Sequence, residues 1–555
     1  MIIRKLYIIG CFILLAAIAT IFACRHESAG EPAAYRLVVV IVIDQMRPDY
    51  FTRFGHQFSG GLARVQNSGA VFLNGFHEHS MTATAVGHAT IATGLLPRHH
   101  GVVGNSWYDR SERRKVYSSE DSTVTIIDHP DAEGQSPRRL LRPALGDWLK
   151  EKSPSSKVVS VALKDRSATF MGGLRADAAF WIDTKSGDLV TSTYYMNNCP
   201  YFVDSFNNSG FIRQFNGHRW DRMLPDTAYH NLEPETSIAA HDARQITFPH
   251  SIADSAIRPD EKYYEELFSS PFGDLITIEL AERITREYQL GQDAQPDILM
   301  LGCSSADLIG HSFGPNSDEV QDYYLRLDQY LADFFVFLDS LCGPNNYLTV
   351  LSSDHGVMPF PEYLFSQGIQ SHRLNSDTLK QKILTLGEKV AKNHEVTGNF
   401  LYYEGGDLVI DYDKLPANGI LPVELENELA QEIRGLPDVA DVYTRTELSE
   451  NKQTRPFMNL YVNNYYPSRG GDLIVRIKEN VLNIAGPKGT THLTPYKYDT
   501  QVPIVFLGHG IISEMHADSI RTIDIAPTIF DLLGYRESDK FDGRSVRDII
   551  SKPIR

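Results

Sequence analysis

The chain has 555 residues, 42% of them hydrophobic and 22% charged. That is enough for one large domain with insertions, and too ordinary a composition for disorder or a multi-span membrane protein. Its 70 Asp and Glu outnumber 53 Lys and Arg for a net charge of -17, which excludes nucleic acid as a partner because phosphate-backbone binding needs a basic face. A small phosphate substrate stays open, since a local set of cations can override a distant field.

The first segment, "MIIRKLYIIGCFILLAAIATIFACRHESAG", carries Arg4 and Lys5, then a long apolar run, then small and polar residues. This is an export signal over residues 1–24, with 25–35 as a linker. "IFAC", ending at Cys24, resembles the lipobox of bacterial lipoproteins. The expectation is an exported chain, periplasmic or anchored to a membrane of a bacterial envelope through a lipid on Cys24. Beyond it Cys199, Cys303 and Cys342 form no disulfide framework and no CxxC metal spacing.

"RLVVVIVI" at 36–43 is a continuous β-branched run, the pattern of a strand buried on both faces of a parallel sheet. "KVVSVAL" (157–163), "DILMLGC" (297–303), "NYLTVLS" (346–352) and "VPIVFLG" (502–508) repeat it. Between them "PALGDWLKEK" and "DYYLRLDQYLADFFVFLDSL" have helical spacing. The expected fold is α/β, a mostly parallel central sheet with helices on both faces. Two stretches differ. Residues 170–270 are rich in Asn, Asp, Pro and aromatics and are expected to cap the sheet, and 376–480 read as a small inserted α+β lobe.

Carboxylates follow the strands: Asp44 after the first, Asp307 after "DILMLGC", Asp354 and His355 after "NYLTVLS". Ligand sites of open α/β sheets lie beyond the carboxyl ends of strands, so these groups can converge on one edge. Any one such Asp is more readily a helix N-cap; the argument rests on three together. Asp307 and His311 are four apart and share a face on a helical turn. His492 lies in a loop before "VPIVFLG" and completes three Asp and three His without a thiolate. This donor set suits two divalent metal ions, Zn²⁺ first among them, in the two-metal arrangement of phosphoryl transfer. "SMTATAVGHATIATG" (80–94) concentrates hydroxyls beside a histidine, and on the residues alone Thr82 and Thr84 are equal candidates for a nucleophile or an N-cap.

Taken in order, "VIDQMRPDY", "TATAVGHATIATG", "DLIGH", "SSDHG", "HLTPYKYDTQVP" and "TIDIAPTIFDLLGYRESDKFDGRSV" resemble the alkaline phosphatase superfamily, and within it the phosphate-irrepressible bacterial enzymes with a threonine nucleophile. The resemblance runs over 36–550. It implies Thr84 as the nucleophile at a helix start, with Thr82, Thr90 and Thr93 left to capping and packing and His88 to support. It implies one metal held by Asp44, Thr84, Asp354 and His355 and another by Asp307, His311 and His492. It assigns the phosphoryl oxygens to Asn105 in "GVVGNSWYDR" and to Lys164 and Arg166 in "VALKDRS", whose alternate spacing suits an extended segment facing one way. Where relatives often have Gly after the last histidine, this chain has Leu493.

The implied activity is hydrolysis of phosphate monoesters by double displacement through a phosphothreonine on Thr84. An Arg that grips two non-bridging oxygens favours a dianionic terminal phosphate over a diester. The alternatives are a phosphodiesterase or nucleotide pyrophosphatase of the same superfamily, and a non-catalytic lipoprotein binding module. A sulfatase is excluded, because no Cys or Ser in a C/S-x-P-x-R context stands at the nucleophile position.

Overall fold

The structure is a computed structural model that describes residues 35–551 apart from 230–231, 235–236, 239–245, 254–260, 397, 405, 417–418, 451–454 and 537. The segment expected to be an export signal, the expected linker up to residue 34 and Cys24 lie outside the described residues. Among the described residues no helix is long and apolar enough to cross a membrane.

Ten strands form the central sheet: β1 (Leu37–Ile43), β2 (Ala70–Phe76), β3 (Val158–Ala162), β4 (Ala178–Ile182), β5 (Leu189–Val190), β6 (Asp297–Cys303), β7 (Tyr347–Ser352), β8 (Gln501–Gly508), β9 (Glu514–His516) and β10 (Ile520–Arg521). Their order is β9-β2-β8-β7-β1-β6-β3-β4-β5, with β10 beside β2. The middle of the sheet, β7-β1-β6-β3-β4, is parallel. β8 runs antiparallel to both β7 and β2, and β5 antiparallel to β4, so the sheet is mostly parallel with two reversed strands.

β1 shows why its sequence is apolar throughout. Leu37, Val39, Ile41 and Ile43 enter one core, whereas Val38, Val40 and Val42 enter another on the opposite face. Each face is covered by helices, among them Pro271–Glu287 and Asp318–Cys342 on the first and Ile525–Leu532 on the second. Burying each of these aliphatic side chains contributes about 1.5–3 kcal/mol.

The stretch expected to cap the sheet starts inside it, since β4 and β5 are edge strands of the central sheet. Past them the chain continues as short helices and turns. Within 376–480, helices Ser376–Asn393 and Pro422–Arg434 pack on a four-stranded sheet around a separate core. This lobe is fastened to the region after β2: Asn463 donates to the carbonyl of Glu78, Asn464 to that of Val103 and Arg469 to that of Gly101.

Candidate active site

Every acidic candidate sits just past the carboxyl end of a central parallel strand. Asp44 follows β1 and Asp354 follows β7 at two residues' distance. After β6 the chain turns into a helix, Ser305–Phe313, which carries Asp307 and His311 on one face with His311 Nε2 3.1 Å from Asp307 Oδ1. The donor atoms of Asp44, Asp354 and His355 lie within 4.8 Å of one another, as do those of Asp307, His355 and His492. The His355 and His492 rings stack with centroids 3.6 Å apart. The grouping differs from the implied partition: His355 stands in both groups, its Nε2 3.4 Å from Asp44 Oδ1 and from Asp354 Oδ2, whereas His311 stands in neither and reaches the cluster through Asp307.

All three histidines are aimed by the same device. The Nδ1 of His311 meets the carbonyl of Thr490 at 2.7 Å, that of His355 the carbonyl of Gly356 at 3.0 Å, and that of His492 the carbonyl of Thr82 at 2.5 Å. A carbonyl accepts only from N–H, so Nδ1 carries the proton and Nε2 keeps a lone pair for a metal.

The electrostatics demand cations. Three buried carboxylates face one lysine, Lys164, whose Nζ is 2.5 Å from Asp44 Oδ2 and 2.7 Å from Asp307 Oδ2. Burial, then the charges of Asp307 and Asp354, push the Asp44 carboxyl well above its usual range. Burial also opposes the charge of Asp307, yet His311 and Lys164 outweigh it and hold that carboxyl well below. Burial drives the His492 imidazole well below its usual value, so it is neutral and fit to coordinate. Asp44 Oδ1, Asp354 Oδ2 and His355 Nε2 are buried without a hydrogen-bond partner. Buried polar atoms of this kind require a compensating partner, and an oxygen and imidazole set fits divalent cations.

Helix Thr84–Thr93 brings its first turn against this cluster. Gly87 makes the approach feasible: a Cβ there would stand 2.2 Å from the backbone oxygen of Asp354 and 2.6 Å from its Cα. His88 Nδ1 meets the carbonyl of Thr84 at 2.8 Å and stands 3.3 Å from Asp354 Oδ2 without a hydrogen bond to it, so the helix start lies beside the carboxylate. Backbone cannot yield as a side-chain tip can, so Gly87→Ala is expected to destabilise the fold by about 1–3 kcal/mol and to lower kcat. Urea unfolding and turnover measured together check this, and a variant with wild-type values in both would contradict the close approach.

Of the four threonines here, three hydroxyls are engaged. Thr82 Oγ1 accepts from the N–H groups of Leu493 and Thr494, Thr90 Oγ1 lies 3.1 Å from His100 Nε2, and Thr93 Oγ1 donates to the carbonyl of Ala89. Thr84 is buried at the first helical position, and its hydroxyl has no hydrogen bond among the described residues. Unpaired N–H groups and the helix dipole favour an anion at that position. Asn105 Oδ1 accepts from the Ala85 N–H at 2.9 Å, which orients its amide NH₂ away from the helix.

Lys164 and Arg166 are not on an extended segment as their spacing suggested. β3 ends at Ala162, Lys164 is the N-cap of helix Asp165–Gly172, and Arg166 is its second residue. They still line one cleft of about 1020 Å³ together with Tyr117 and Trp181. Arg166 Nη1 donates to the Tyr117 hydroxyl at 3.0 Å, and its Nε is buried without a partner.

Gln45 escaped the sequence reading. It has a left-handed backbone with φ of 66°, donates from its N–H to Asp354 Oδ1 at 3.1 Å and from Nε2 to Asp307 Oδ1 at 2.6 Å. One residue thus bridges both carboxylate groups, and no sequence signal marks a glutamine for that task. Leu493 also has a left-handed backbone, with φ of 85°, a conformation that costs a side-chain-bearing residue roughly 1–2 kcal/mol.

Acid and imidazole donors gathered past the strand ends of an open α/β sheet fit the class of metal-dependent hydrolases. The type I phosphodiesterase / nucleotide pyrophosphatase family model matches residues 38–497. The chain is 32% identical over 526 residues to alkaline phosphatase PafA of Elizabethkingia meningoseptica, covering 93% of this chain and 95% of the relative. It is 32% identical over 535 residues to a Myroides odoratus protein named calcium-transporting ATPase, covering 94% of each. The crystal structure of wild-type alkaline phosphatase PafA superposes with a TM-score of 0.84 at 32% identity, over 93% of this chain and 98% of that one. The chain belongs to this phosphodiesterase and nucleotide pyrophosphatase family, within the alkaline phosphatase superfamily.

Proposed function

We propose that the protein is an alkaline phosphatase, a metal-dependent phosphomonoesterase that works through a phosphothreonine on Thr84. The observation that carries the reading is the Thr84 hydroxyl, without a hydrogen bond among the described residues at a helix start that packs on Asp354. Asp44, Asp307, His311, Asp354, His355 and His492 would hold two divalent cations. When bound, such cations acidify a coordinated hydroxyl and neutralise charge on the phosphoryl group and leaving oxygen.

The chain's own residues do the rest. Thr84 Oγ1 attacks phosphorus in line and the ester oxygen departs, leaving phosphate on the threonine; water then displaces Thr84 and restores it. Arg166 and the NH₂ of Asn105 bind non-bridging oxygens as charge builds on them. Lys164, now between Asp44 and Asp307, limits their mutual repulsion and presents a cation to the phosphoryl group from that side. Tyr117 braces Arg166, so the guanidinium is ordered before substrate arrives.

Zinc is the proposed metal, because three imidazoles and three carboxylates without thiolate match its preferred donors. Chelator-treated protein is expected to lose p-nitrophenyl phosphate turnover and to regain it with two equivalents of Zn²⁺ but not of Mg²⁺. Full turnover in metal-free protein would defeat the two-cation reading. Restoration by Mg²⁺ alone would defeat the choice of zinc. The name of the Myroides relative raises the terminal phosphate of ATP, held by an anhydride bond, as a second class of substrate.

A further inference from the structure

Two residues before the nucleophile, Thr82 is the point at which the Thr84 segment and the His492 loop are joined. Its backbone carbonyl faces His492 Nδ1 at 2.5 Å and so fixes both the ring and its tautomer. Its hydroxyl accepts from Leu493 N–H at 3.1 Å and from Thr494 N–H at 3.0 Å, and lies 3.1 Å from the Thr494 carbonyl, to which it donates. The far side of the loop is secured by Thr494, whose N–H and hydroxyl both donate to Asp499 Oδ2. Thr82 itself is fully buried.

Between His492 and Thr494 stands Leu493, with its left-handed backbone and an exposed side chain. A leucine does not hold that conformation unaided. The clamp from Thr82 is what determines it. Without the hydroxyl, the loop would relax, and His492 would lose its register against Asp307, whose Oδ1 is 3.6 Å from His492 Nε2.

We infer that Thr82 is a positioning residue: its hydroxyl locks the His492 loop and thereby sets the affinity of the Asp307–His311–His492 cation position, in register with Thr84 two residues on. The inference rests on the two-cation reading above. It gives the first threonine of "TATAVGH" a role distinct from capping, acting through His492 and never touching substrate.

The test uses the full chain with zinc as the probe. Thr82→Val keeps the shape and removes the hydroxyl, and Thr82→Ser keeps the hydroxyl. Zinc affinity is measured by competition with a chromophoric chelator, alongside circular dichroism of the metal-free protein. Thr82→Val is expected to bind one zinc as the wild type does and the second about 10–100-fold more weakly. Its turnover at limiting zinc falls in parallel and returns at saturating zinc, and Thr82→Ser stays close to wild type. Two zinc ions bound with wild-type affinity by Thr82→Val would overturn the inference, as would a turnover loss that saturating zinc leaves untouched. Failure of the wild type itself to bind two ions would overturn the two-cation reading along with it.

Discussion

Thr84→Ala is expected to lose kcat/KM on p-nitrophenyl phosphate by on the order of 10³-fold or more while keeping its zinc content, and Thr84→Ser to retain turnover. The residue is singled out by its surroundings. Neighbouring hydroxyls at 82, 90 and 93 each have a protein partner, whereas that of Thr84 has none among the described residues. It opens the helix where N–H groups and the dipole lower the cost of an alkoxide and of the incoming anion. Measuring zinc content in the same preparation separates loss of the nucleophile from loss of the metal centre. Wild-type turnover in Thr84→Ala would move the nucleophile elsewhere, with Thr82 the next candidate.

Arg166→Ala is expected to cut monoester kcat/KM by about 10²–10³-fold, the usual effect of deleting a donor to developing charge, with less than about tenfold loss on a diester. A monoester phosphate presents more unesterified oxygens, so a planar guanidinium has more to hold. Tyr117 orients Arg166 from the far side of the cleft; Tyr117 is itself bound to Asp165 at 2.8 Å. Burial works against the charge of the guanidinium, and the Tyr117 and Asp165 interactions more than offset that cost and keep it firmly charged. Equal losses on the two substrates would remove Arg166 from the part it plays in choosing monoesters.

Much of this was legible in the chain because the signals are strong ones. Runs such as "DILMLGC" have no polar position to spare, and the strand spans Asp297–Cys303 as the run does. The carboxylates after the strands are legible for the same topological reason, and the four-residue spacing of Asp307 and His311 survives as a real contact. β4 and β5 were not legible as parts of the sheet. "AAFWI" is brief, and a two-residue edge strand has no period at all.

The site's supporting residues were harder still. Gln45 acts through a left-handed backbone that propensity does not assign to glutamine, and Gly310 gives it room: a Cβ there would meet Gln45 Oε1 at 1.8 Å. Thr82 works on residues more than four hundred positions away, a pairing invisible to any local pattern. The spacing of Lys164 and Arg166 suggests an extended segment where the structure has a helix start, because a strand end followed by Asp and Arg starts a helix as readily as it prolongs an extended segment.

The most direct test of the central claim compares kcat/KM of the zinc-loaded wild type for p-nitrophenyl phosphate and bis(p-nitrophenyl) phosphate. A monoester preference of at least about 10²-fold is expected, the scale of a single well-placed donor to a transition-state oxygen. A diester preference would contradict it: Arg166 and Asn105 would then not face the phosphoryl group, and the chain would be a phosphodiesterase.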